Sequence, residues 1–151
     1  MYNFTTRKAT SIDIVDLSKL FNEYRIFYRK KSDIEKAIQF ITERLSNKDS
    51  EIFVVESDAQ TIVGFVQLYP LFSSTRMKRL WLLNDLFVAE MYRGLGLSKL
   101  LIEKAKNHCI ATQACALILE TEKENTIGNQ LYLETGFTKD TQHNFYEWET
   151  D

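Results

Sequence analysis

One segment tells more about this chain than any other: Asp85-Leu-Phe-Val-Ala-Glu-Met-Tyr-Arg-Gly-Leu-Gly-Leu-Ser-Lys-Leu-Leu-Ile102. Its apolar start predicts a buried strand, its two glycines predict a turn, and the residues after the turn predict a helix. The first N–H groups of a helix lack partners within the helix, and neighbouring glycines carry no Cβ that would block an anion. Arg93 adds a fixed positive charge there. The segment therefore predicts a binding site for a pyrophosphate.

Two common phosphate loops do not fit this segment. A dinucleotide-binding fingerprint needs a third glycine where Lys99 stands, together with an early βαβ unit. A P-loop needs Gly-Lys-Ser/Thr after a gap of four residues, and the segment has none. The remaining alternative is a glycine-containing turn that binds nothing. Arg93, the strand before the turn and the helix after it together favour the phosphate site.

The bulk properties predict one domain, 1–151, in the cytoplasm. A composition of 44% hydrophobic and 26% charged residues is typical of a globular domain of this length. The net charge of −2 gives no basic field for nucleic acid. The two cysteines have neither CxxC spacing nor a histidine cluster, so we expect reduced thiols and no metal site. With no signal peptide and no membrane-length apolar run, we expect no membrane partner.

Hydrophobic periodicity predicts a mixed α/β sandwich. Helical spacing begins at Ser11 and again at Ser32, where Ser32 and Glu35 have the pattern of a capping box. Strand-like and helical segments then follow in the order Asn3–Lys8 (before the helices), Glu51–Glu56, Thr61–Leu68, Arg79–Val88, helix Leu95–Thr112, Ala116–Thr121, helix Asn125–Glu134, and a closing pair Phe137–Lys139 with His143–Glu149. The order βααβββαβαββ is that of an α+β sheet flanked by helices and not of a doubly wound fold.

A second group of residues lies in Asn125-Thr-Ile-Gly-Asn-Gln-Leu-Tyr-Leu-Glu-Thr-Gly-Phe137. We expect Gly136 to end this helix at the C′ position. Taken alone, the segment fits a capping Asn125 and a core Tyr132. With a phosphate site one strand earlier, Tyr132 becomes a candidate general acid, because a phenol of pKa about 10 can protonate a thiolate of pKa about 8.5.

These segments resemble the GNAT superfamily of N-acetyltransferases. Arg93-Gly-Leu-Gly-Leu-Ser98 matches the Arg/Gln-x-x-Gly-x-Gly/Ala pattern with which that superfamily binds the pyrophosphate of coenzyme A, apart from Ser98 in the last position. Asn125 to Phe137 resembles its later Asn…Tyr…Gly-Phe motif, with Gly128 where an Ala is common. Further likeness, to the yeast histone/polyamine acetyltransferase branch and its bacterial relatives, lies in 20–33, 67–74, 81–88 and 119–121. The resemblance implies a GNAT-type, mostly antiparallel central sheet flanked by helices.

The resemblance also implies an activity: transfer of the acetyl group of acetyl-CoA to a primary amine by direct attack. Backbone N–H groups and the start of a helix would hold the cofactor, and the backbone at Phe87 and Val88 would contact the thioester oxygen. Tyr132 would be the general acid. The cofactor-binding residues implied are Phe87, Val88, Arg93, Gly94, Leu95, Gly96, Leu97, Ser98 and Asn125. The alternative is a non-catalytic CoA sensor or interaction module on the same fold.

The sequence offers more than one candidate for the base. A lysine-type amine has a pKa of about 10.4, so at pH 7 about one molecule in 2,500 is neutral, a deficit of about 4.6 kcal/mol. Some polyamine-acetylating relatives carry Glu where this chain has Asn84, and an amide cannot take the proton. Asp85, Glu120 or water leading to one of them remains, and we predict Asp85. The alternative for Asp85 is a buried carboxylate that ties the strand to a neighbour.

The acceptor amine cannot be read from the sequence. Tyr24 and Tyr28 either line the acceptor pocket or pack in the core, and Asn84 is assigned to substrate binding with them. Arg29-Lys-Lys31 is either a solvated loop or, if functional, a group that repels polyamines and favours a partly anionic acceptor. A small-molecule or peptide amine fits equally. The aromatic segment Asn144–Glu149 is expected to form an exposed edge strand and so a homodimer.

Overall fold

The computed structural model describes residues 3–150. Contacts divide the chain into two compact units, Met1–Glu120 and Thr121–Asp151, and each is described by itself. The single domain 1–151 therefore stays a prediction.

The first unit is built on a five-stranded sheet. Its strands follow one another in chain order: β1 (Phe4–Lys8), β2 (Glu51–Ser57), β3 (Ile62–Ser73), β4 (Lys78–Val88) and β5 (Leu117–Ile118). The first three pairings are antiparallel, whereas β5 runs parallel to β4 and pairs only with Trp81 and Leu82. The mixed, mostly antiparallel sheet predicted from the sequence is confirmed.

The predicted helices are present, with small changes at their ends. They are α1 (Ile14–Phe27), α2 (Ile34–Asn47) and α3 (Leu97–Ala111) in the first unit and α4 (Thr126–Glu134) in the second; single 3-10 turns cover Ser11–Asp13 and Glu90–Tyr92. The expected Ser32 cap of α2 is wrong, because the side chain of Asp33 accepts from the N–H of Lys36 instead. The Ser32 hydroxyl accepts from Asn22 on α1, which takes it away from the helix start.

Both faces of the sheet are covered by helices. On β2, Ile52 and Val54 belong to the buried cluster formed with α1 and α2. Phe53 lies between them in sequence, and its ring is 5.3 Å from that of His108 on α3. Because successive side chains of a strand point to opposite faces, α3 packs on the other face. A sheet buried on both sides explains why β2 is an almost continuous apolar run.

The second unit holds α4 and a segment without regular structure. Gly136, with φ of 89°, ends α4 as expected. The N–H of Phe137 donates to Tyr132 O at 2.9 Å and that of Gly136 to Leu133 O at 3.1 Å, the bond pair of a Schellman motif. The rings of Tyr132 and Phe137 lie 5.7 Å apart and supply the apolar contact that accompanies this motif.

The closing strands at Phe137–Lys139 and His143–Glu149 are wrong, because residues 137–150 form neither strand nor helix. The side chain of Asp140 accepts from the N–H groups of Gln142 and His143, so a local turn uses donors that a sheet would have needed. Phe145, Tyr146 and Trp148 are largely exposed. Aromatic residues favour strands only where a neighbouring strand packs on them. The homodimer expected from this strand thereby loses its structural basis and stays a prediction.

Candidate active site

The strand β4 changes its hydrogen-bonding phase at Asn84. Leu83 is opposite Leu68 and Asp85 is opposite Gln67, so Asn84 is an extra residue in β4, a β-bulge. Before the bulge, the N–H of Trp81 points toward β5 and donates to Ala116 O at 3.0 Å. After it, the N–H of Ala89 points the other way and donates to the carbonyl oxygen of Val63 on β3 at 2.9 Å.

The bulge decides where the backbone of Val88 points. Neighbouring residues of a strand turn their N–H groups to opposite edges, so Val88 faces away from β3. That edge of β4 has no strand beside it among the described residues of the first unit, because β5 ends at Ile118. Without the extra residue the phase would be reversed and Val88 would face β3. β5 pairs only with Trp81 and Leu82 and so does not reach Val88, whose polar groups β4 turns outward.

Arg93 fastens the loop that follows β4. Its Nε donates to Val88 O at 3.0 Å. Its guanidinium carbon lies 5.4 Å from the ring centre of Phe27 and 5.4 Å from that of Phe87, which are cation–π distances. The sequence predicted a charge for a phosphate at this place. The structure adds that Arg93 ties the loop to the same residue whose N–H faces the open edge.

The predicted glycine turn is present and open. Gly94 and Gly96 have φ of 79° and 76°, a conformation that favours glycine, and a Cβ built on either would meet nothing within 4 Å. Gly96 is the N-cap of α3, and no side chain caps the helix there. Leu97 is buried and anchors the first turn, while Leu95 is half exposed. The turn offers backbone donors, a helix start and empty space where side chains would otherwise stand, which fits a pyrophosphate.

Asp85 is a buried carboxylate held by neutral donors. Its side chain is 5% exposed. Gln67 Nε2 donates to Oδ2 at 2.9 Å and Asn84 Nδ2 donates to Oδ1 at 3.1 Å. The hydroxyl of Ser50 in turn donates to Gln67 Oε1 at 3.0 Å and fixes that amide. Burial raises the pKa of Asp85, while the hydrogen bonds from Gln67, Asn84 and Tyr24 lower it, with burial the larger effect.

A cavity of about 300 Å3 opens onto Asp85. The structure brings four of the predicted site residues to its wall, namely Tyr24, Tyr28, Asn84 and Asp85. Tyr24 also packs against the rings of Phe21, Phe65 and Phe87, so it belongs to both the cavity and the core. The Tyr24 hydroxyl donates to Asn84 O at 3.4 Å. Glu120, the other candidate base, is exposed and does not line this cavity.

Several residues around the cavity were missed by the sequence analysis. Gln67 is fully buried, and its signal was a lone amide within the apolar run of β3. The bulge at Asn84 has no signal in the sequence, since it depends on pairing with β3. The cavity residues that were missed are Phe21, Arg25, Phe40 and Tyr69, whereas Lys30 belongs to the basic loop 29–31 that the sequence analysis named. Burial raises the pKa of Tyr69, and the nearby charge of Asp85 adds to the effect.

Two predicted residues lie in the second unit, on α4 and at its start. Asn125 caps α4: its Oδ1 accepts from Gly128 N–H at 3.1 Å, and its Nδ2 donates to Thr121 Oγ1 at 3.0 Å. A Cβ at Gly128 would come 2.5 Å from Asn125 Nδ2, which explains why glycine stands there. Tyr132 is half-buried, and the Schellman motif fixes the backbone beside it.

Within residues 3–150, His, Cys, Asp and Glu side chains form no group of three or more that is placed to bind a metal ion. None of the helices in that range combines the length and apolar character needed to cross a membrane.

Comparison with known proteins gives consistent matches. The model of the acetyltransferase (GNAT) family matches residues 15–137. The chain is 41% identical over 135 residues to an uncharacterized N-acetyltransferase, YhfO, of Bacillus subtilis, covering 89% of this chain and 90% of the relative. It is 34% identical over 113 residues to a probable acetyltransferase of Haemophilus influenzae, covering 75% and 77%. The crystal structure of a probable acetyltransferase superposes with a TM-score of 0.93 at 33% identity, covering 97% and 98%.

Proposed function

This chain belongs to the acetyltransferase (GNAT) family and is an acyl-CoA-dependent acetyltransferase; we propose that it transfers the acetyl group of acetyl-CoA to a primary amine by direct attack. One observation carries the proposal. The open glycine turn lies a few residues beyond the end of β4, where Val88 faces an edge that no strand of the described part of the first unit occupies, and Asp85 on the same strand lines a cavity.

The cofactor would be held by backbone groups of this turn. The N–H groups of Gly94, Leu95, Gly96, Leu97 and Ser98 are the donors we assign to its pyrophosphate, with the start of α3 adding a favourable dipole. Acetyl-CoA supplies, when bound, an acetyl group activated as a thioester. We assign the contact with the thioester oxygen to the N–H of Val88, next to Phe87. A preorganised donor of this kind is worth about 10²–10³ in rate.

Asp85 is the base in this proposal. Its pKa is raised by burial, which makes it a stronger proton acceptor than an exposed aspartate. An amine in the cavity would meet the Asp85 carboxylate, the Asn84 carbonyl oxygen and the Tyr24 hydroxyl, all of which accept hydrogen bonds. Asn84 stands where some polyamine-acetylating relatives have Glu, and its neighbour in the bulge carries the carboxylate instead.

Tyr132 is the general acid that we assign on the resemblance to the family, and Asn125 belongs to the cofactor-binding residues on the same ground. The phenol, with an ordinary pKa of about 10, can protonate a departing thiolate of pKa about 8.5. We therefore expect Tyr132→Phe to lower kcat about a hundredfold while the Kd for acetyl-CoA changes little. Unchanged turnover in this variant would remove Tyr132 from the acid role. Leu133→Ala, at an exposed position of the same helix, is the control.

Two measurements test the function. In thermal melting, acetyl-CoA at one hundred times its Kd is expected to stabilise the protein by about 2.7 kcal/mol. Incubation of the protein with isotopically labelled acetyl-CoA and a panel of amines, followed by mass spectrometry, is expected to yield acetylated products. Stabilisation without transfer to any amine would favour the alternative of a non-catalytic CoA sensor. If acetyl-CoA neither stabilises the protein nor gives its acetyl group to any amine, both the transferase and the CoA sensor are contradicted.

A further inference from the structure

The charges around the cavity are divided between its depth and its rim. Asp85 is the one acidic residue among the described residues that line it, and it is 5% exposed. Two cationic residues, Arg25 and Lys30, line the same cavity. A neighbouring cavity of about 250 Å3 shares Arg25 and adds Lys36. Asp85 is therefore buried, whereas Arg25 is half-buried and Lys30 is exposed; we call these two the rim cations.

The rim cations are held by the loop that follows α1. Arg25 Nη1 donates to the carbonyl oxygen of Lys31 at 3.1 Å, a contact that orients the guanidinium and leaves its charge in place. The N–H of Lys30 donates to Arg25 O at 2.9 Å. Arg29, between them, adopts φ of 63° and turns the chain. Lys36 Nζ lies 3.5 Å from Asp33 Oδ2, so part of its charge is already compensated. Arg25 and Lys30 are therefore the stronger candidates for binding an anionic group.

Aromatic rings form most of the remaining wall. Tyr24 and Tyr28 lie 5.0 Å apart, and Phe21 stacks on Phe40 at 5.4 Å. Ring faces attract an ammonium group and exclude water from around it. The volume of about 300 Å3 is at the small end of ligand sites. These features suit a compact molecule whose amine enters first.

We propose that the acceptor is a small amine that also carries a carboxylate, an amino acid or similar amino-carboxylate, with its amine at Asp85 and its carboxylate at Arg25 and Lys30. A polyamine would bring its second positive charge against the cationic rim, where like charges repel. The inference rests on the proposed function and names its substrate class. It narrows the small-molecule or peptide amine that the sequence left open, and it favours the partly anionic acceptor that the basic loop 29–31 suggested as one of its two interpretations.

The reaction balances with these groups. A C–N bond forms at the amine of the amino acid and the C–S bond of the thioester breaks. The ammonium nitrogen loses two protons, the first to Asp85 at the start. Tyr132 gives its proton to the sulfur and is restored by the second proton from the nitrogen. One proton therefore ends on the released thiol, and the other passes from Asp85 to solvent. The carboxylate of the substrate stays unchanged and serves recognition alone.

The test compares matched amines with the intact protein and acetyl-CoA. Free amino acids are each assayed beside their carboxamide and beside a diamine of equal length, and kcat/KM is obtained from release of the CoA thiol. We expect the best amino acid to exceed its amide by about tenfold or more, the scale of a charge-assisted contact. Arg25→Gln should reduce this ratio about tenfold, and Lys30→Gln should reduce it by a smaller factor.

Lys19→Gln is the control, because Lys19 is an exposed cation of α1 paired with Asp16 and lines neither cavity; it should leave the ratio unchanged. If amides or diamines are turned over as well as amino acids, or if neither Arg25→Gln nor Lys30→Gln alters the ratio, the inference is wrong while the transferase function stands. If no amine of any class releases thiol from the folded protein, the proposed function fails and the inference fails with it.

Discussion

Two aspartates of this protein have the same small exposed fraction, and their pKa values are shifted in opposite directions. Asp13, at the start of α1, and Asp85, at the bulge of β4, are each 5% exposed. The Asp13 carboxylate accepts hydrogen bonds from Nη1 and Nη2 of Arg7, at 2.8 and 2.9 Å, and from the N–H of Thr10 at 2.7 Å. Asp85 receives amide donors that carry no charge. The hydrogen bonds from Arg7 lower the pKa of Asp13, whereas burial raises the pKa of Asp85.

The difference shows what each region is built for. At Asp13 an arginine compensates the buried charge, and the pair joins β1 to α1 and, through Glu56, to β2. At Asp85 the fold leaves the charge poorly compensated and opens a cavity beside it. A carboxylate with an arginine partner stabilises the fold, while one with neutral donors keeps its affinity for a proton, which a base requires.

The largest effect is expected from Asp85→Asn. The shape of the side chain is retained while the proton acceptor is lost, so kcat/KM should fall at least a hundredfold, equivalent to about 2.7 kcal/mol of transition-state stabilisation. The free energy of unfolding should change little, because removal of a poorly compensated buried charge offsets the contact between donors that the new amide makes with Gln67 or Asn84. Steady-state kinetics and urea unfolding measure the two quantities. Activity close to the wild-type level would show that Asp85 is only structural.

The matched substitution Asp13→Asn should show the reverse. It weakens the paired contact with Arg7 and leaves a guanidinium without its anion, so we expect a loss of about 2 kcal/mol in the free energy of unfolding. This loss is smaller than the roughly 3–5 kcal/mol typical of a broken buried pair because Arg7 is 35% exposed. The kcat/KM of the folded fraction should stay near the wild-type value. A large loss of activity without a loss of stability would contradict the division between the two regions.

The pH dependence separates the same two groups. The pKa of Asp13 is lowered on folding, so its stabilisation is present above the unfolded value of about 3.9 and is lost as the pH falls through the folded pKa. The pKa of Asp85 is raised, so its ionisation opposes folding as the pH rises above the unfolded value. Between pH 7 and pH 3 the free energy of unfolding of the wild-type protein should therefore fall by more than that of Asp13→Asn. An identical acid dependence would contradict the assignment.

The sequence was sufficient where local chemistry decides the structure. The two glycines of the turn and Gly136 at the end of α4 adopt the expected conformation because no other residue enters it as readily. The sequence was insufficient where a distant partner decides. The bulge at Asn84 and the buried amide of Gln67 depend on pairing between β3 and β4. The segment 143–149 has strand-forming residues, yet it forms no strand.

Arg25 shows the same limit within the site. Its position in the sequence of α1 does not indicate that it lines the same cavity as Asp85, because that placement depends on the packing of α1 beside β4. The basic loop 29–31 was recognised, and both of its interpretations remained open. Only the cavity distinguishes the rim cations from solvated ones.

The open turn at Gly94 and Gly96 is proposed to hold the pyrophosphate of acetyl-CoA, and calorimetric titration of paired glycine variants tests this most directly. Gly96→Ala and Gly136→Ala each force an alanine into a left-handed conformation, with φ of 76° and 89°, at a similar cost of about 1–2 kcal/mol. Only the Cβ at Gly96 would project into the empty space of the turn. We predict acetyl-CoA affinity at least tenfold weaker in Gly96→Ala and close to wild type in Gly136→Ala. Equal, undiminished affinity in both variants would contradict the account.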